Sequence, residues 1–272
     1  MSLKNKTIII TGSTRGIGRE MALRFAKDGA NIVITGKTAE KHDKLPGTIY
    51  TVAEEVEKAG GKALPLILDV RDENQIEQMI NQVVQQWGGI DILVNNASAI
   101  SLTDTLNTTP KRFDLMMSVN ARATFMCSRA CIPYLQKSDN PHILNMSPPL
   151  SMLAKWFKDH LAYTYSKYGM SVCTLGMSEE FKEAGIAINS LWPKTTIATS
   201  AIKVNFPPEL YAASRNPAIV ANAAYWIVTQ HARKLTGQFL IDEEILSKSG
   251  ETDFTHYNMT PGVSPMRDLF LD

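Results

Sequence analysis

The sequence predicts a single α/β domain, residues 1–272, built on an open, doubly wound parallel sheet of about seven strands. Short apolar runs alternate with longer segments in which apolar residues recur at the period of an amphipathic helix. The apolar runs lack polar alternation, which is typical of strands covered on both faces. Strands that alternate with helices pair in parallel through right-handed crossovers. No low-complexity linker or repeat of fixed period divides the chain.

Each strand is predicted from its own apolar run. The first run, TIIIT at 7–11, precedes a helix from about residue 16, in which Ile17, Met21 and Phe25 share one face. The other predicted strands are NIVIT at 31–35, ALPLIL at 63–68, DILVN at 91–95, HILNM at 142–146, IAINSL at 186–191 and QFLI at 238–241. An insertion-like loop at 37–50 and a tail from about 248 to 272 interrupt the alternation. The tail either packs on a neighbouring subunit or covers the sheet edge.

Composition argues against several classes of function. The formal net charge of +1 gives no reason to expect nucleic acid or an anionic membrane as a partner. The start of the sequence lacks a secretory signal pattern and no run approaches the length of a membrane span, so we expect a cytoplasmic protein. An odd number of cysteines fits a reducing compartment. No His or carboxylate cluster accompanies Cys127 and Cys131, so we expect core packing and no metal site.

The segment after the first strand predicts a dinucleotide site of the Rossmann type. Ligands bind beyond the carboxyl ends of the strands in such a sheet. Glycine permits a tight turn and a close backbone approach, and the free N–H groups of a helix start attract a pyrophosphate. A plain turn is the simpler alternative. The predicted loop comprises Gly12, Ser13, Thr14, Arg15, Gly16, Ile17 and Gly18.

The end of the second strand favours NADP(H) over NAD(H). An acid there would accept from the ribose 2′-hydroxyl, but the chain reads ITGKT. Arg15 and Lys37 instead offer two cations to a 2′-phosphate, unless both are solvated surface cations. Asp69 and Val70, which end the third strand, are assigned to the adenine, although an acid at a strand end also caps helices.

The stretch AYTYSKYGM at 162–170 supplies a candidate proton-transfer group. Tyr163 and Lys167 share a helix face because they lie four residues apart, and Tyr165 does not share it. A free phenol has a pKa of about 10, so it handles protons near neutrality only with a neighbouring positive charge. The alternative is an amphipathic helix with a half-buried tyrosine and a solvated lysine.

These segments together resemble the landmarks of the short-chain dehydrogenase/reductase family. TGSTRGIG, DILVNNAS, SVN at 118–120 and the Tyr163/Lys167 pair follow the family's order over about residues 5–245. KLPGTIYTVAEE, NNASAISLT, HILNMSPPL and LWPKT are similar to its hydroxysteroid dehydrogenase-like members. The resemblance implies hydride transfer between a nicotinamide and a carbonyl or alcohol carbon, with Tyr163 as general acid or base. Lys167 would lower the phenol's pKa and hold the nicotinamide ribose.

The resemblance also implies roles for other residues. Asn120 would bind a water of the proton relay, although an asparagine in a helix also bonds backbone. Small and amide side chains at 95–98 would lie near the adenine ribose. Helical segments at 113–136 and 161–184 would pair in a homodimer or homotetramer. The remaining implied cofactor contacts are Asn96, Ala97, Pro193, the N–H of Ile197 and the hydroxyl of Thr199.

Two positions depart from the family pattern. Pro148 holds the place of the serine that polarises the substrate carbonyl, and proline offers neither a hydroxyl nor an N–H. Ser147 or Ser151 would have to replace it, and we assign Ser147 as the fourth catalytic residue. After the sixth strand, Lys194 stands where the family has glycine, and it either meets an anionic group or points to solvent.

The side chains expected around Tyr163 are apolar and predict a hydrophobic carbonyl or alcohol substrate, whether lipid-derived, steroid-like or aromatic. Oligomer packing is the alternative role for them. The sequence thus predicts an NADP(H)-dependent oxidoreductase, with a non-catalytic NADP(H)-binding sensor or scaffold as the alternative that Pro148 and Lys194 favour. The apolar side chains in question are Met152, Leu153, Trp156, Phe157, Ile202, Val204 and Phe206.

Overall fold

The structure is a computed structural model that describes residues 1–37, 39–40 and 47–271. Its strands are β1 Thr7–Ile10, β2 Asn31–Gly36, β3 Lys62–Ile67, β4 Ile92–Asn95, β5 His142–Asn145, β6 Ala187–Trp192 and β7 Phe239–Ile241. They form one parallel sheet in the order β3-β2-β1-β4-β5-β6-β7. The bounds of all seven predicted strands are confirmed to within one residue at each end. The predicted doubly wound fold is confirmed as well. Residues 38 and 41–46 of the predicted loop at 37–50 lie outside the described residues.

Helices cover both faces of the sheet and its carboxyl edge. A π-helical turn, Met117–Arg122, joins α4 to α5. The α-helices are α1 Gly16–Ala26, α2 Ile49–Lys58, α3 Glu73–Trp87, α4 Pro110–Met116, α5 Ala123–Leu135, α6 Lys155–Lys158, α7 Leu161–Glu180, α8 Ser200–Asn205, α9 Pro208–Ala212, α10 Ala218–Val228 and α11 Asp242–Lys248. Within the described ranges, none of these helices is long and apolar enough to cross a membrane.

The two helical layers bury alternate residues of the same strands. Ile8 and Ile10 of β1 lie in one core with residues of α1, α2, α10 and α11. Ile9 lies in the other core with residues of α3, α5 and α7, where Cys127 and Cys131 are also buried. Because both faces are apolar, the strands show no polar alternation.

The ligand end of the sheet lies where the strand order reverses. From the adjacent pair β1 and β4, the chain winds outward to β2 and β3 on one side and to β5, β6 and β7 on the other. Connections on opposite sides of such a pair leave a crevice beyond the carboxyl ends of its strands. The loops after β1 and β4 therefore face each other across this crevice.

The tail after α11 folds back across the carboxyl end of β6 in its own chain. The N–H of Thr196 donates to the carbonyl of Met266 at 2.9 Å, and the N–H of Asp268 donates to the carbonyl of Lys194 at 3.0 Å. Trp192 Nε1 donates at 2.9 Å to the carbonyl of Leu269, the residue that follows Asp268. These bonds place the end of the tail beside α7 rather than along the outer edge of the sheet.

Candidate active site

The glycine loop after β1 fits closely against the loop after β4. Gly12 has a φ of +67°, and a Cβ there would lie 3.1 Å from the Cα of Ala97. A Cβ on Gly18 would lie 2.6 Å from Asn96 Nδ2. That same amide donates to the carbonyls of Thr11 and Gly12 at 2.9 and 3.0 Å. The two loops thus hold each other, and only glycine fits at both positions without displacing them.

A cleft of about 720 Å³ opens beside this loop. Its floor includes the start of α1, where the first N–H groups of a helix have no partner within the helix. The lining does not include five other residues that the sequence assigns to the cofactor: Ser13, Tyr163, Lys167, Pro193 and Ile197. The Ser13 hydroxyl instead accepts from the N–H of Thr35 at 2.9 Å. The predicted cofactor residues that do line the cleft are Gly12, Thr14, Arg15, Gly16, Ile17, Gly18, Lys37, Asp69, Val70, Asn96, Ala97 and Thr199.

Two cations, Arg15 and Lys37, line the cleft together with two acids, Glu40 and Asp69. Asp69 receives hydrogen bonds from the Arg71 guanidinium and lies 3.8 Å from Lys37 Nζ. The bonds from Arg71 and the charge of Lys37 lower the pKa of Asp69 to about 2. Arg15 has no carboxylate partner within residues 1–37, 39–40 and 47–271, and partial burial lowers its pKa. Asp72, rather than Asp69, caps α3.

Tyr163 and Lys167 lie on the same face of α7 and are both buried, with 5% and 2% of their surface exposed. Lys167 Nζ donates to the carbonyl of Met146 at 2.5 Å and lies 5.1 Å from the ring centre of Trp192. Tyr165, which spacing excludes from this face, is 58% exposed. The helix therefore brings the predicted pair together and leaves the neighbouring tyrosine outside.

Burial controls the protonation of this pair. It raises the pKa of Tyr163 above its ordinary value of 10, and the negative charge of Asp268 raises it further. Burial also lowers the pKa of Lys167 to about 7, although the charge of Asp268 opposes this change. Asp268 itself has a pKa raised to about 7 by burial. Burial and the charge of Asp268 thus both raise the pKa of Tyr163, and the lowering by Lys167 that the resemblance implies stays a prediction.

Asn120 connects the loop after β4 with α7. Its side chain accepts from the N–H of Ala99 at 2.8 Å and donates to the carbonyl of Ala99 at 2.9 Å. It also donates to the hydroxyl of Ser166, which in turn donates to the carbonyl of Tyr163. Asn120 lies in the π-helical turn, a feature frequent at functional sites. Its side chain thus positions the helix turn that carries Tyr163.

The hydroxyl of Ser147 joins a buried polar network beneath the site. Its Oγ lies 2.8 Å from Ser190 Oγ, which lies 2.7 Å from Thr174 Oγ1. The loop beyond it is held by Tyr168, whose hydroxyl donates to the carbonyl of Ser151 at 2.8 Å. The described contacts of Ser147 are with the core; its catalytic assignment stays a prediction.

The segment after β6 is fixed by buried acids and by the tail. Asp242 accepts from the N–H of Lys194 at 2.8 Å. Lys194 Nζ lies 2.6 Å from Glu243 Oε2, and its side chain remains 41% exposed. Lys194 thus extends toward the surface, where it forms an ion pair instead of standing alone in solvent. Thr199 reaches the cleft, and Ile197 is buried behind it.

Five aromatic side chains surround Phe270, which is 1% exposed. The ring centres of Trp156, His160, Tyr163, Tyr168 and Trp192 lie 5.6 to 6.2 Å from that of Phe270. We call these five residues the ring box. The sequence reasoning missed His160, Trp192, Asp268 and Phe270. The signal for the last was the apolar LFL at 269–271 in an otherwise polar tail.

The predicted apolar surroundings of Tyr163 are confirmed only in part. Trp156 and Phe157 pack against the buried cluster that contains Tyr163 and Phe270. Met152 and Leu153 are 83% and 50% exposed. The buried surface beside Tyr163 is therefore aromatic more than aliphatic.

The geometry suits a nicotinamide dinucleotide. The close-fitting glycines and the start of α1 form a cradle for a pyrophosphate, and the cations beyond β2 lie at the adenine end. A phenol and an amine, those of Tyr163 and Lys167, are buried on one face of α7.

Comparison with known proteins agrees with this reading. A family model described as short chain dehydrogenase matches residues 6–207. Hydroxysteroid dehydrogenase-like protein 2 from Xenopus laevis is 56% identical over 266 residues, which cover 98% of this chain and 63% of that protein. A solved structure from Xanthomonas campestris superposes with a TM-score of 0.97 at 48% identity and full coverage of both chains.

A short chain dehydrogenase structure from Mycobacterium thermoresistibile gives a TM-score of 0.94 at 46% identity, with 100% of this chain and 96% of that chain covered. This chain spans less than two thirds of the length of the Xenopus laevis relative. The family resemblance found in the motifs is confirmed, and its members bind a nicotinamide cofactor. The chain belongs to the short-chain dehydrogenase/reductase family of oxidoreductases.

Proposed function

We propose that this protein is an NADP(H)-dependent oxidoreductase that interconverts a hydrophobic carbonyl compound and its alcohol, with Tyr163 as the general acid or base. One observation carries the proposal. Tyr163 and Lys167 are buried together on one face of α7, where Tyr163 packs in the aromatic cluster of Phe270 and Lys167 lies beside the ring of Trp192. A buried phenol paired with a buried amine has no evident structural purpose, because both groups lose hydration there.

The raised pKa of Tyr163 suits proton donation. A phenol whose pKa lies above 10 is fully protonated at neutral pH, so it holds the proton that a reduced carbonyl oxygen needs. When bound, the nicotinamide supplies or accepts the hydride. Burial lowers the pKa of Lys167 to about 7, and the family resemblance gives this residue the further role of holding the nicotinamide ribose. Asn120 positions the helix turn through Ser166.

The cation arrangement supports NADP(H) as the cofactor. Arg15 lines the cleft without a carboxylate partner in the described parts of the chain, so a 2′-phosphate would supply its counter-ion. Lys37 lies near Asp69, but Arg71 already neutralises that carboxylate through several hydrogen bonds. No acid ends β2 to accept from a 2′-hydroxyl. Titration should therefore show NADPH binding at least about tenfold more tightly than NADH.

Exposed apolar side chains support self-association as a homodimer or homotetramer. Phe125 on α5 and Val172 and Leu175 on α7 are 49%, 57% and 54% exposed. A second copy of the chain would cover them. Light scattering should give a mass of two or four chains, and a Leu175→Glu variant should shift it toward one.

The decisive test follows NADPH oxidation with hydrophobic aldehydes, ketones and quinones. Replacement Tyr163→Phe should lower turnover by about 100- to 10,000-fold, because it removes the proton donor, while NADPH affinity changes little. Tyr165→Phe, on the exposed side of the same helix, is the matched control. Tight NADPH binding without turnover in the unmodified protein would contradict the proposal and favour a non-catalytic sensor or scaffold.

A further inference from the structure

The ring box holds an aromatic ring that belongs to the end of the chain. Phe270 contacts all five of its members, and the His160 ring stacks on it at an interplanar angle of 27°. Aromatic pairs at these separations attract one another beyond the burial of their surface. The box therefore has the size and chemistry to bind one flat six-membered ring next to Tyr163.

Two polar atoms in the wall of the box lack partners. His160 Nδ1 and Trp156 Nε1 are buried, and neither has a hydrogen-bond partner among the described residues. His160 is only 7% exposed. Buried polar groups in native proteins are nearly always hydrogen-bonded, and a phenyl ring cannot bond to them. A ligand with an oxygen substituent would satisfy atoms that Phe270 leaves unpaired.

The present occupant is held by a short segment near the end of the described chain. Phe270 has a φ of +70°, which is unfavourable for a bulky residue. The backbone bonds that hold this segment join Asp268 to Lys194 and Met266 to Thr196 and Ala213, and they lie outside the seven-stranded sheet. Residues 264–271 can therefore leave the box while the sheet and both cores stay intact.

We propose that the ring box is the substrate subsite, and that it binds a carbonyl compound whose flat ring carries a hydroxyl or second keto oxygen and takes the place of Phe270. This inference rests on the proposed function, since it names the substrate class of the same site. The substituent follows from donor chemistry. Trp156 can only donate, while an imidazole can donate or accept at Nδ1, so a hydroxyl satisfies both. The substrate's reacting carbonyl then lies beside Tyr163.

Three ketones test the inference with NADPH as the reductant: 4-hydroxyacetophenone, acetophenone and 2-octanone, the last matched to acetophenone in carbon number. We expect kcat/KM to fall in that order. In Trp156→Phe and His160→Phe, the preference for the hydroxylated ring over the plain ring should drop about tenfold, the effect of one lost hydrogen bond. Trp226→Phe on α10, remote from the box, should keep the wild-type ratio. Equal turnover of 2-octanone and acetophenone, or an unchanged ratio in both box variants, would overturn the inference.

Hydrogen exchange of residues 264–271 separates this inference from the proposed function. 4-Hydroxyacetophenone should speed exchange in that segment by displacing Phe270, in wild type and in Tyr163→Phe, while 2-octanone should not. Displacement without turnover of any ketone would support the subsite and reject the reductase. Turnover of 2-octanone with no change of exchange by either ring ketone would support the reductase and reject the subsite. Phe270→Ala should also lower the KM of acetophenone, because it removes the competitor.

Discussion

The two ends of the active site are built in different ways. The cofactor end is lined mainly by residues of the loops that follow β1, β2, β3 and β4, and its glycines lie close to the strands that precede them. The ring box end consists of large aromatic side chains from α6, α7, β6 and the tail. The first end is fixed by local backbone geometry. The second depends on a segment that returns from almost 80 residues beyond β6, since Trp192 meets Leu269 with a separation of 77 residues.

This difference matches the demands of the two ligands. Every cofactor molecule presents the same pyrophosphate, so a rigid cradle of N–H groups can be specified by glycine spacing alone. Substrates differ, and a site that must admit a bulky ring is better closed by an irregular segment outside the sheet than by a strand. Four substitutions test whether the two ends are as distinct as this comparison requires.

The largest effect on binding should come from the two cations, Arg15 and Lys37, at the adenine end of the cleft. Replacing both Arg15 and Lys37 by Ala should reduce the preference for NADPH over NADH about 100-fold, since charge-assisted bonds to a phosphate contribute about 1.5–3 kcal/mol each. Fluorimetric or calorimetric titration with both cofactors measures it. A Lys27→Ala/Lys58→Ala double variant, at the ends of α1 and α2, is a control of the same charge change outside the cleft lining. An unaltered ratio would mean that both cations are merely solvated.

The second-largest effect on NADPH binding should come from Gly18, in the glycine loop after β1. In Gly18→Ala the new Cβ would lie 2.6 Å from Asn96 Nδ2 and 2.7 Å from the carbonyl oxygen of Gly12, so the loop must move. Overpacking costs about 1–3 kcal/mol, which corresponds to about a 5- to 150-fold rise in the Kd for NADPH. Gly89→Ala is the matched control, because a Cβ there meets no atom of the described chain within 4 Å. Equal Kd values for both variants would show that the cradle is flexible.

Asp268 gives a pH-dependent test of the ring box end. Its pKa is raised from 3.8 to about 7, so the stability that its protonated form provides is complete below pH 3.8 and is lost as pH rises through 7. Asp268→Asn does not ionise and should escape this loss. The free energy of unfolding of the variant relative to wild type should therefore rise by about 2 kcal/mol from pH 5 to pH 8.

Urea unfolding at the two pH values measures this difference. Asp114→Asn, on the exposed face of α4, controls for the general effect of removing a carboxylate. A relative stability that falls with pH would indicate that the attraction between Asp268 and Lys167 outweighs burial.

The smallest effect should come from Ser147. Because its hydroxyl bonds to Ser190 in the core, Ser147→Ala should cost about 1 kcal/mol of stability and change kcat less than about threefold. Ser190→Ala removes the same bond and also the contact with Thr174, so it should cost more stability and change kcat as little. If Ser147 instead polarises the carbonyl, as the sequence predicts, kcat should fall about 100-fold or more, and only in Ser147→Ala.

The sequence predicts the cofactor end well because its signals are local. The runs that form β1 to β7 are short and apolar, and Gly12 and Gly18 lie within a few residues of the strand that they follow. Tyr163 and Lys167 are equally local, since helix spacing alone places them on one face. Periodicity and turn chemistry suffice for features of this kind.

The ring box could not be predicted in the same way. His160 becomes buried only because Phe270 stacks on it, and nothing near position 160 encodes a contact 110 residues away. The pKa of Tyr163 is raised first by burial and then by the charge of Asp268, which lies on the tail more than 100 residues away in sequence. The inward turn of the Ser147 hydroxyl likewise depends on Ser190, from a different strand. These side chains are placed by contacts between residues far apart in sequence, which the spacing of nearby residues does not predict.

The composition of the ring box also gives the molecule a built-in optical reporter. The chain has four tryptophans, and Trp156 and Trp192 border Phe270, whereas Trp87 ends α3 and Trp226 lies on α10. Indole emission depends on the polarity of its surroundings, so departure of Phe270 should shift the spectrum of two indoles while the other two keep theirs. The state of the substrate end can thus be read without any label, from the light that the protein itself emits.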